Sequence, residues 1–213
     1  MYTNQNKIIT CAEIAVIYLA IPLLFFFNIL DFSVMFLLMP IGIVVFLFLR
    51  FDKSFDNKSF TRWQISRKQY RSMWFLFVIS AVVMLIAIWL VRPDRIFFLL
   101  RQKPLFLFWI SLFYPVFSVI PQALAYRVLF FHRYANLFKN KWIQILVSAV
   151  FFSFGHVVFK NSLVLVLTFV AGIIYAYHYY LTKSMLFSIM EHSIYGVWLF
   201  ASGLGMFFVD MRV

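Results

Sequence analysis

Seven long apolar runs dominate this sequence and limit what the chain can fold into. They lie at Ile8–Leu30, Phe32–Leu49, Met73–Val91, Leu105–Ile120, Trp142–Phe159, Leu163–Leu181 and Met185–Val209. A helix needs about 20 consecutive apolar residues to cross the hydrocarbon core of a bilayer. Backbone polar groups find no water there, so each run must satisfy them internally as a helix. The runs therefore predict an all-α integral membrane protein.

The composition supports a membrane protein, and one proline makes the number of helices uncertain. Hydrophobic residues make up 65% of the 213 residues and charged residues only 12%, whereas soluble domains carry about 25% charged residues. The fourth run continues past Pro121, which predicts a kink or a break there and a second helix from Gln122 to about Leu137. We therefore expect a bundle of seven or eight transmembrane helices in a single transmembrane domain over residues 1–213.

The net charge of +12 is concentrated in short loops. The largest group lies between the second and third runs and comprises Lys53, Lys58, Arg62, Arg67, Lys68 and Arg71. Short basic loops face the cytoplasm, which predicts a multi-pass protein of the cell membrane with a cytoplasmic N-terminus. A smaller group (Arg92, Arg95, Arg101 and Lys103) falls on the opposite side and disagrees with this orientation. The charges indicate contact with anionic lipid headgroups and no nucleic-acid partner.

Strongly polar side chains interrupt four of the apolar stretches. They are Gln122 with Arg127, His156, His178, and Glu191 with His192. A polar or ionisable residue inside a membrane span is costly, so each one is a hypothesis about function. We interpret His178, which lies among tyrosines, as a packing residue, and His132 as a residue at headgroup level. His156 and His192 lie well inside their runs and are the stronger functional candidates.

Depth estimates predict that these polar residues meet in one place. At a rise of about 1.5 Å per residue, Gln122, His156 and His192 lie at depths where a single polar pocket can hold them. We expect them to line one cavity with Arg127, open toward the cytoplasmic side. Ala123 lies four residues before Arg127 and shares its helix face. An arginine in a membrane normally pairs with a carboxylate, so Ala123 occupies a position that favours an acid.

Three motifs on three helices resemble a known family. Residues Gln122 to Arg127 (QALAYR) correspond to E-E-x-x-x-R, Phe152 to His156 to F-x-x-x-H, and His192 to Gly196 to H-x-x-x-N/D. Their order and spacing resemble those of the CPBP intramembrane proteases. That family includes CAAX prenyl endopeptidases and Abi-type bacteriocin-processing or immunity proteins. The resemblance covers about residues 105–205, which we regard as the catalytic core.

The resemblance implies hydrolysis of a peptide bond in a membrane-anchored peptide or protein. A motif-one glutamate, expected at Ala123, and His156 would activate a water, Arg127 would hold the carboxylate, and His192 would stabilise the oxyanion. Supporting roles fall to Gln122, Phe152, Glu191 and Gly196. Two histidines and a glutamate can hold zinc, but the chain has no H-E-x-x-H pair. We therefore expect no metal and no cofactor, and we expect the Cβ of Ala123 to point into the cavity toward His156.

The chain departs from the family pattern at three positions. Gln122 and Ala123 cannot take a proton, and Gly196 replaces an Asn or Asp. Three explanations stay open: an inactivating Glu→Ala change at 123, which we favour and which leaves this chain inactive or impaired; a natural pseudoprotease that binds membrane peptides; and recruitment of Glu191 as base. A non-enzymatic scaffold or transporter is the alternative class, although no repeated halves are visible. The sequence leaves the substrate and the oligomeric state open.

Overall fold

The structure is a computed structural model that describes residues 7–208 as a bundle of helices, with no strand among those residues. The long helices are α1 (Ile8–Phe26), α2 (Met35–Phe51), α3 (Arg67–Val91), α4 (Pro104–Arg133), α5 (Lys141–Phe154), α6 (Ser162–Thr182) and α7 (Met185–Ser202). Five spans are long and apolar enough to cross a membrane: α1, α3, α4, α6, and α5 together with the turn that follows it. Helix α2 is apolar but shorter. The predicted all-α membrane fold is confirmed, with seven long helices in the described part of the chain.

The predicted break at Pro121 is wrong, because α4 runs without interruption through it. Two π-helical turns, Pro115–Val119 and Leu124–Leu129, flank the α-helical segment that contains this proline. A proline ring clashes with the carbonyl four residues earlier in a regular α-helix. In a π-helical turn the hydrogen bonds reach five residues back, so the wider turn relieves that clash. The helix therefore continues past Pro121.

Neighbouring helices satisfy backbone groups in the second wide turn of α4. The hydroxyl of Tyr18 on α1 donates to the carbonyl of Ala125 at 2.7 Å, and the hydroxyl of Ser148 on α5 donates to the carbonyl of Tyr126 at 2.8 Å. Tyr18 is fully buried and stacks on Phe151, with ring centroids 5.1 Å apart. These contacts fix α1 and α5 against the part of α4 that carries the first motif.

The helix ends differ from the predicted spans where local backbone signals outweigh hydropathy. Helix α1 ends at Phe26 instead of Leu30, since Asn28 has a φ of 56° and cannot continue a helix. Helix α3 begins at Arg67 instead of Met73. Ser66 and Gln69 form a reciprocal capping box there, which extends the helix into the basic segment.

The last two boundary differences lie close to the predicted site. Helix α5 ends at Phe154 rather than Phe159, and a 3₁₀ turn of Val157–Phe159 follows it. Helix α7 ends at Ser202, where Gly203 adopts a φ of 111°. The predicted end of that span, Val209, lies outside the described residues.

One end of the bundle, here called the basic end, gathers the segment from 52 to 66 and the turn between α6 and α7. Ser59 donates to the carbonyl of Lys183 at 2.7 Å, and Ser184 donates to the carbonyl of Arg62 at 2.5 Å. Helix α4 also ends here, where His132 Nε2 lies 2.9 Å from the Asp52 carboxylate. Most of the predicted cytoplasmic charge therefore lies at this end.

The opposite end, here called the far end, is formed by the segments that follow α1, α3, α5 and α7. The amide of Phe97 donates to the carbonyl of Ser202 at 3.1 Å. Lys160 donates to the side chain of Asn28 at 3.2 Å. These contacts tie the segments together next to the cavity described below.

Candidate active site

A cavity of about 660 Å³ lies toward the far end of the bundle. Its lining includes Ser33, Arg95, Phe98 and Phe208 from that end, and the rest is mostly aromatic and aliphatic side chains from α2 to α7. The polar groups that line it include Gln122, His156 and His192. These three residues, which we predicted to meet, line one cavity although they are up to 70 positions apart in the chain, whereas Arg127, predicted with them, is not part of the lining.

The cavity lies toward the end opposite to the one we predicted. We expected an opening on the side of the basic loops, whereas the inter-helix segments that line the cavity belong to the far end. The early end of α5 explains the difference. Because the helix stops at Phe154, His156 lies in the turn that follows it and not in the middle of a span.

His156 presents one free nitrogen to the cavity. Its Nδ1 lies 2.7 Å from the carbonyl oxygen of Phe152. A carbonyl can only accept, so Nδ1 carries the proton and Nε2 keeps its lone pair. The Phe152 ring, 4.8 Å away between centroids, and the Phe208 ring, 6.1 Å away, hold the imidazole in place. An imidazole held in this tautomer can accept a proton from a water in the cavity.

Of the two motif-one positions, Gln122 lines the cavity and Ala123 does not. The Gln122 amide donates to Ser118 Oγ at 2.8 Å, and its oxygen has no hydrogen-bond partner among the described residues. Ala123 is fully buried inside the protein. The prediction that its Cβ points into the cavity is wrong. Successive residues of a helix differ in direction by about 100°, so only one of the two can face it.

Arg127 lies behind the cavity wall and not in it. It is 0% exposed, and its Nε, Nη1 and Nη2 have no hydrogen-bond partner anywhere in residues 7–208. The guanidinium stacks over the ring of Phe152, 4.0 Å from its centroid, and lies 5.1 Å from the ring centroid of Tyr175. We expected a carboxylate as the usual partner of an arginine in a membrane; among the described protein groups, cation–π contacts take its place.

His192 and Gly196 of the third motif meet a residue that the sequence did not single out. Tyr114 Oη lies 3.1 Å from His192 Nε2, while His192 Nδ1 has no partner in the described structure. A Cβ added to Gly196 would lie 2.5 Å from Tyr114 Oη and 2.6 Å from its Cζ. Tyr114 is one of 11 tyrosines in the chain. The residues next to Tyr114 in the sequence do not mark it as a functional residue, because its contact with His192 depends on a glycine in a different helix.

Glu191 and His178 form a separate buried pair. Both are 0% exposed, and Glu191 Oε1 lies 2.6 Å from His178 Nδ1. The other nitrogen of His178 lies 3.0 Å from Ser72 Oγ on α3. His178 does not line the cavity, and a carboxylate and a hydroxyl hold both of its ring nitrogens, as expected for a buried residue with a packing role. Glu191 does not line the cavity, so the structure contradicts its recruitment as a base.

The described residues contain no group of three or more His, Cys, Asp or Glu side chains arranged to hold a metal ion. The polar groups of the cavity include an imidazole with a free nitrogen, a second imidazole bound to a phenol, and an amide. These groups can bind a peptide backbone, and the first imidazole can exchange a proton with water.

The fold and cavity define a class: multi-pass helical membrane proteins with a polar site enclosed in the bundle. Residues 103–198 match the Rce1-like family, described as Type II CAAX prenyl endopeptidases. This stretch runs from the start of α4 into α7 and carries all three motifs. The stretch is similar to that family, as the motifs indicated, and the match supports a CAAX-type, protease-like membrane protein. No curated protein and no solved structure matches the chain.

Proposed function

We propose that the cavity binds a membrane-anchored peptide or protein and that His156 and His192 act on one of its peptide bonds. The observation that carries this proposal is the free Nε2 of His156 on the same apolar cavity as His192 and Gln122. The family match over residues 103–198 supports the reaction class. The mostly apolar lining suits a substrate segment that enters from the membrane.

The proposed reaction is a simple hydrolysis. His156 Nε2 takes a proton from water as the water oxygen attacks the peptide carbonyl carbon. The electron pair of the C=O double bond moves to the oxygen and forms an oxyanion, which lies on the side of His192. The C–N bond then breaks, and the imidazolium of His156 gives its proton to the departing nitrogen. No metal or cofactor is needed for this sequence.

In this chain the reaction is impaired because the first motif supplies no carboxylate. A positioned general base contributes about 10²–10⁴-fold to such a reaction. Gln122 faces the cavity, so position 122 is where a carboxylate can share the water with His156. Position 123 is buried beside the helix face of Arg127 and serves a different purpose. The proposal therefore moves the missing carboxylate, which would assist His156, from Ala123, where we first expected it, to position 122.

A set of carboxylate-restoring variants tests this proposal. Gln122→Glu, Ala123→Glu and the double variant are reconstituted in liposomes with quenched fluorescent peptides anchored by one span or by a lipid chain. We expect Gln122→Glu and the double variant to gain cleavage, and Ala123→Glu alone to gain none. His156→Ala in the Gln122→Glu protein should abolish the gain, and a chelator should leave it unchanged.

Three results of this experiment would contradict the proposal in whole or in part. Gain of cleavage by Ala123→Glu alone would return the base to position 123. No cleavage by any folded variant would remove the protease proposal and favour a membrane scaffold. Loss of the gained activity on chelation would overturn the metal-free mechanism.

A second candidate function follows from the same residues. Neither motif-one position carries a carboxylate, yet the cavity remains formed at about 660 Å³. A pseudoprotease that binds anchored peptides without cutting them fits this combination. Photo-crosslinking of the same peptides to the unaltered chain, with no product formed, would support it. A bulky Gly155→Trp change at the cavity wall should remove that crosslink.

A further inference from the structure

The third motif of this chain lacks a side chain at position 196, and another helix fills the gap. We propose that Tyr114 takes the place of that missing side chain: it fixes His192 and donates its own hydroxyl proton, as a hydrogen bond, to the oxyanion. This inference rests on the proposed function for its chemistry. Its geometry rests on contacts that are independent of any substrate.

The first observation is the space around Gly196. A Cβ at this position would lie 2.5 Å from Tyr114 Oη and 2.6 Å from Tyr114 Cζ, with a still closer approach to Cε1. Real Cβ atoms do not approach heavy atoms this closely. The phenol ring therefore occupies the volume that a side chain on residue 196 would fill. Glycine at 196 and tyrosine at 114 are mutually dependent, and either one changed alone disturbs the other.

The second observation is the hydrogen bonding of His192. Its Nε2 lies 3.1 Å from Tyr114 Oη, and its buried Nδ1 has no partner among residues 7–208. A proton on Nδ1 would leave a buried N–H without an acceptor, an arrangement that folded proteins rarely contain. A proton on Nε2 is instead donated to the tyrosine oxygen. The structure therefore favours the Nε2–H tautomer, and the hydroxyl proton of Tyr114 stays free.

The third observation is the direction in which that proton can point. Tyr114 and His192 both line the cavity, and so does His156. When water attacks a peptide carbonyl next to His156, the electron pair of the C=O bond moves onto the carbonyl oxygen. The Tyr114 hydroxyl then donates a hydrogen bond to this oxyanion, and its proton stays on the tyrosine oxygen. Loss of one such donor typically lowers kcat by about 10²–10³.

The placement of Tyr114 can be tested without any substrate. The chain has four histidines, so ¹⁵N-histidine labelling gives four imidazole signal sets, and His192→Gln identifies the set of His192. We expect His192 to show the Nε2–H tautomer and Tyr114→Phe to shift its Nε2–H signal while His156 stays unchanged. A His192 spectrum that Tyr114→Phe does not alter, or an Nδ1–H tautomer, would overturn the inference.

A stability comparison uses the dependence between the two positions. Gly196→Asn alone should lower the melting temperature, because the new side chain collides with Tyr114. Adding Tyr114→Ala should recover most of that loss, while Tyr114→Ala in the unaltered protein should lower the melting temperature. Equal losses for Gly196→Asn with and without Tyr114→Ala would contradict the shared volume.

The oxyanion role is tested by kinetics in the Gln122→Glu protein. Tyr114→Phe should lower kcat about 10²–10³-fold and leave KM unchanged, and Tyr114→Ala with Gly196→Asn should recover part of the loss. Unchanged kcat in Tyr114→Phe would overturn the role. If Gln122→Glu cleaves nothing, the proposed function fails and the oxyanion role fails with it. The spectra and melting temperatures then still decide whether Tyr114 pairs with His192, so the two failures can be told apart.

Discussion

A glutamate introduced at position 123 should stabilise the fold through Arg127. The three guanidinium nitrogens of Arg127 lack hydrogen-bond partners in the described structure, and the side chain is fully buried. Ala123 lies about one helical turn earlier on α4. A carboxylate there reaches the guanidinium by the same spacing that stabilises acid–arginine pairs on helices. Ala123→Glu therefore supplies the acceptor that Arg127 lacks.

The expected stabilisation by Ala123→Glu follows from the number of hydrogen bonds that the new carboxylate can accept. Hydrogen bonds to charged groups contribute about 1.5–3 kcal/mol each, and a carboxylate can accept two from one guanidinium. Ordering a glutamate side chain costs about 1.5–2 kcal/mol, and desolvating its charge offsets a further part of the gain. We expect a net stabilisation of about 2 kcal/mol. For a protein of this size that corresponds to a rise of about 4–8 °C in the melting temperature.

The assay is thermal unfolding of the purified protein in one detergent, with matched variants. Ala123→Gln adds a side chain of the same length without charge and should stabilise the protein much less. In an Arg127→Met protein, Ala123→Glu should lower the melting temperature, since the buried carboxylate then has no partner. Equal melting temperatures for the Glu and Gln variants, or a gain that persists in Arg127→Met, would refute the reasoning.

Two further predictions concern the ends of the bundle. Partial burial raises the pKa of Asp52, but hydrogen bonds from His132 and Ser54 outweigh it and lower that pKa to about 2. The folded-state pKa is below the ordinary value of about 3.9, so this stabilisation is present above about pH 4 and is lost as the pH falls toward 2. Asp52→Asn should remove the part of the acid sensitivity that comes from this carboxyl group. Melting temperatures that fall equally in both proteins from pH 5 through pH 4 to pH 3 would contradict this. The orientation of the protein in the membrane can be tested by cysteine labelling. Cys11, the only cysteine in the sequence, is replaced by serine, and a new cysteine is then added either at the basic end (Lys58→Cys) or at the far end (Gln102→Cys). A maleimide reagent that does not cross membranes should label position 102 and not position 58 on intact cells, because basic loops stay inside the cell. The reverse labelling would place the far end of the bundle in the cytoplasm.

The parts of the fold that hydropathy controls were predictable from the sequence. The seven apolar runs became seven long helices in the described region, because a bilayer leaves the backbone no other way to satisfy its polar groups. Gln122, His156 and His192 converged for a related reason. Each of them is costly in hydrocarbon, and a shared cavity relieves all three at once.

The parts that depend on contacts between distant helices were not predictable. Tyr114 matters because Gly196 leaves room for it, and no pattern within α4 reports the residue opposite. The pairing of His178 with Glu191 likewise joins α6 to α7. The choice between Gln122 and Ala123 depends on the rotation of α4 about its axis. Two π-helical turns change that rotation, and hydropathy does not reveal them.

The wide turn at Leu124–Leu129 has a consequence for how relatives of this chain can diverge. Each residue of an α-helix changes the side-chain direction by about 100°, and a π-helical turn holds one residue more than an α-helical turn. Deleting a single residue from this turn would convert it to a regular α-helical turn, so Gln122 would still face the cavity and the helix after the turn would keep its neighbours. Side-chain directions would change only within the turn, which contains Arg127, and its guanidinium would then leave the aromatic slot of Phe152 and Tyr175. Two chains with the same hydropathy profile and one residue of difference here would thus share the cavity and the packing of the second half of α4, while they differ in the group that lies against these two rings.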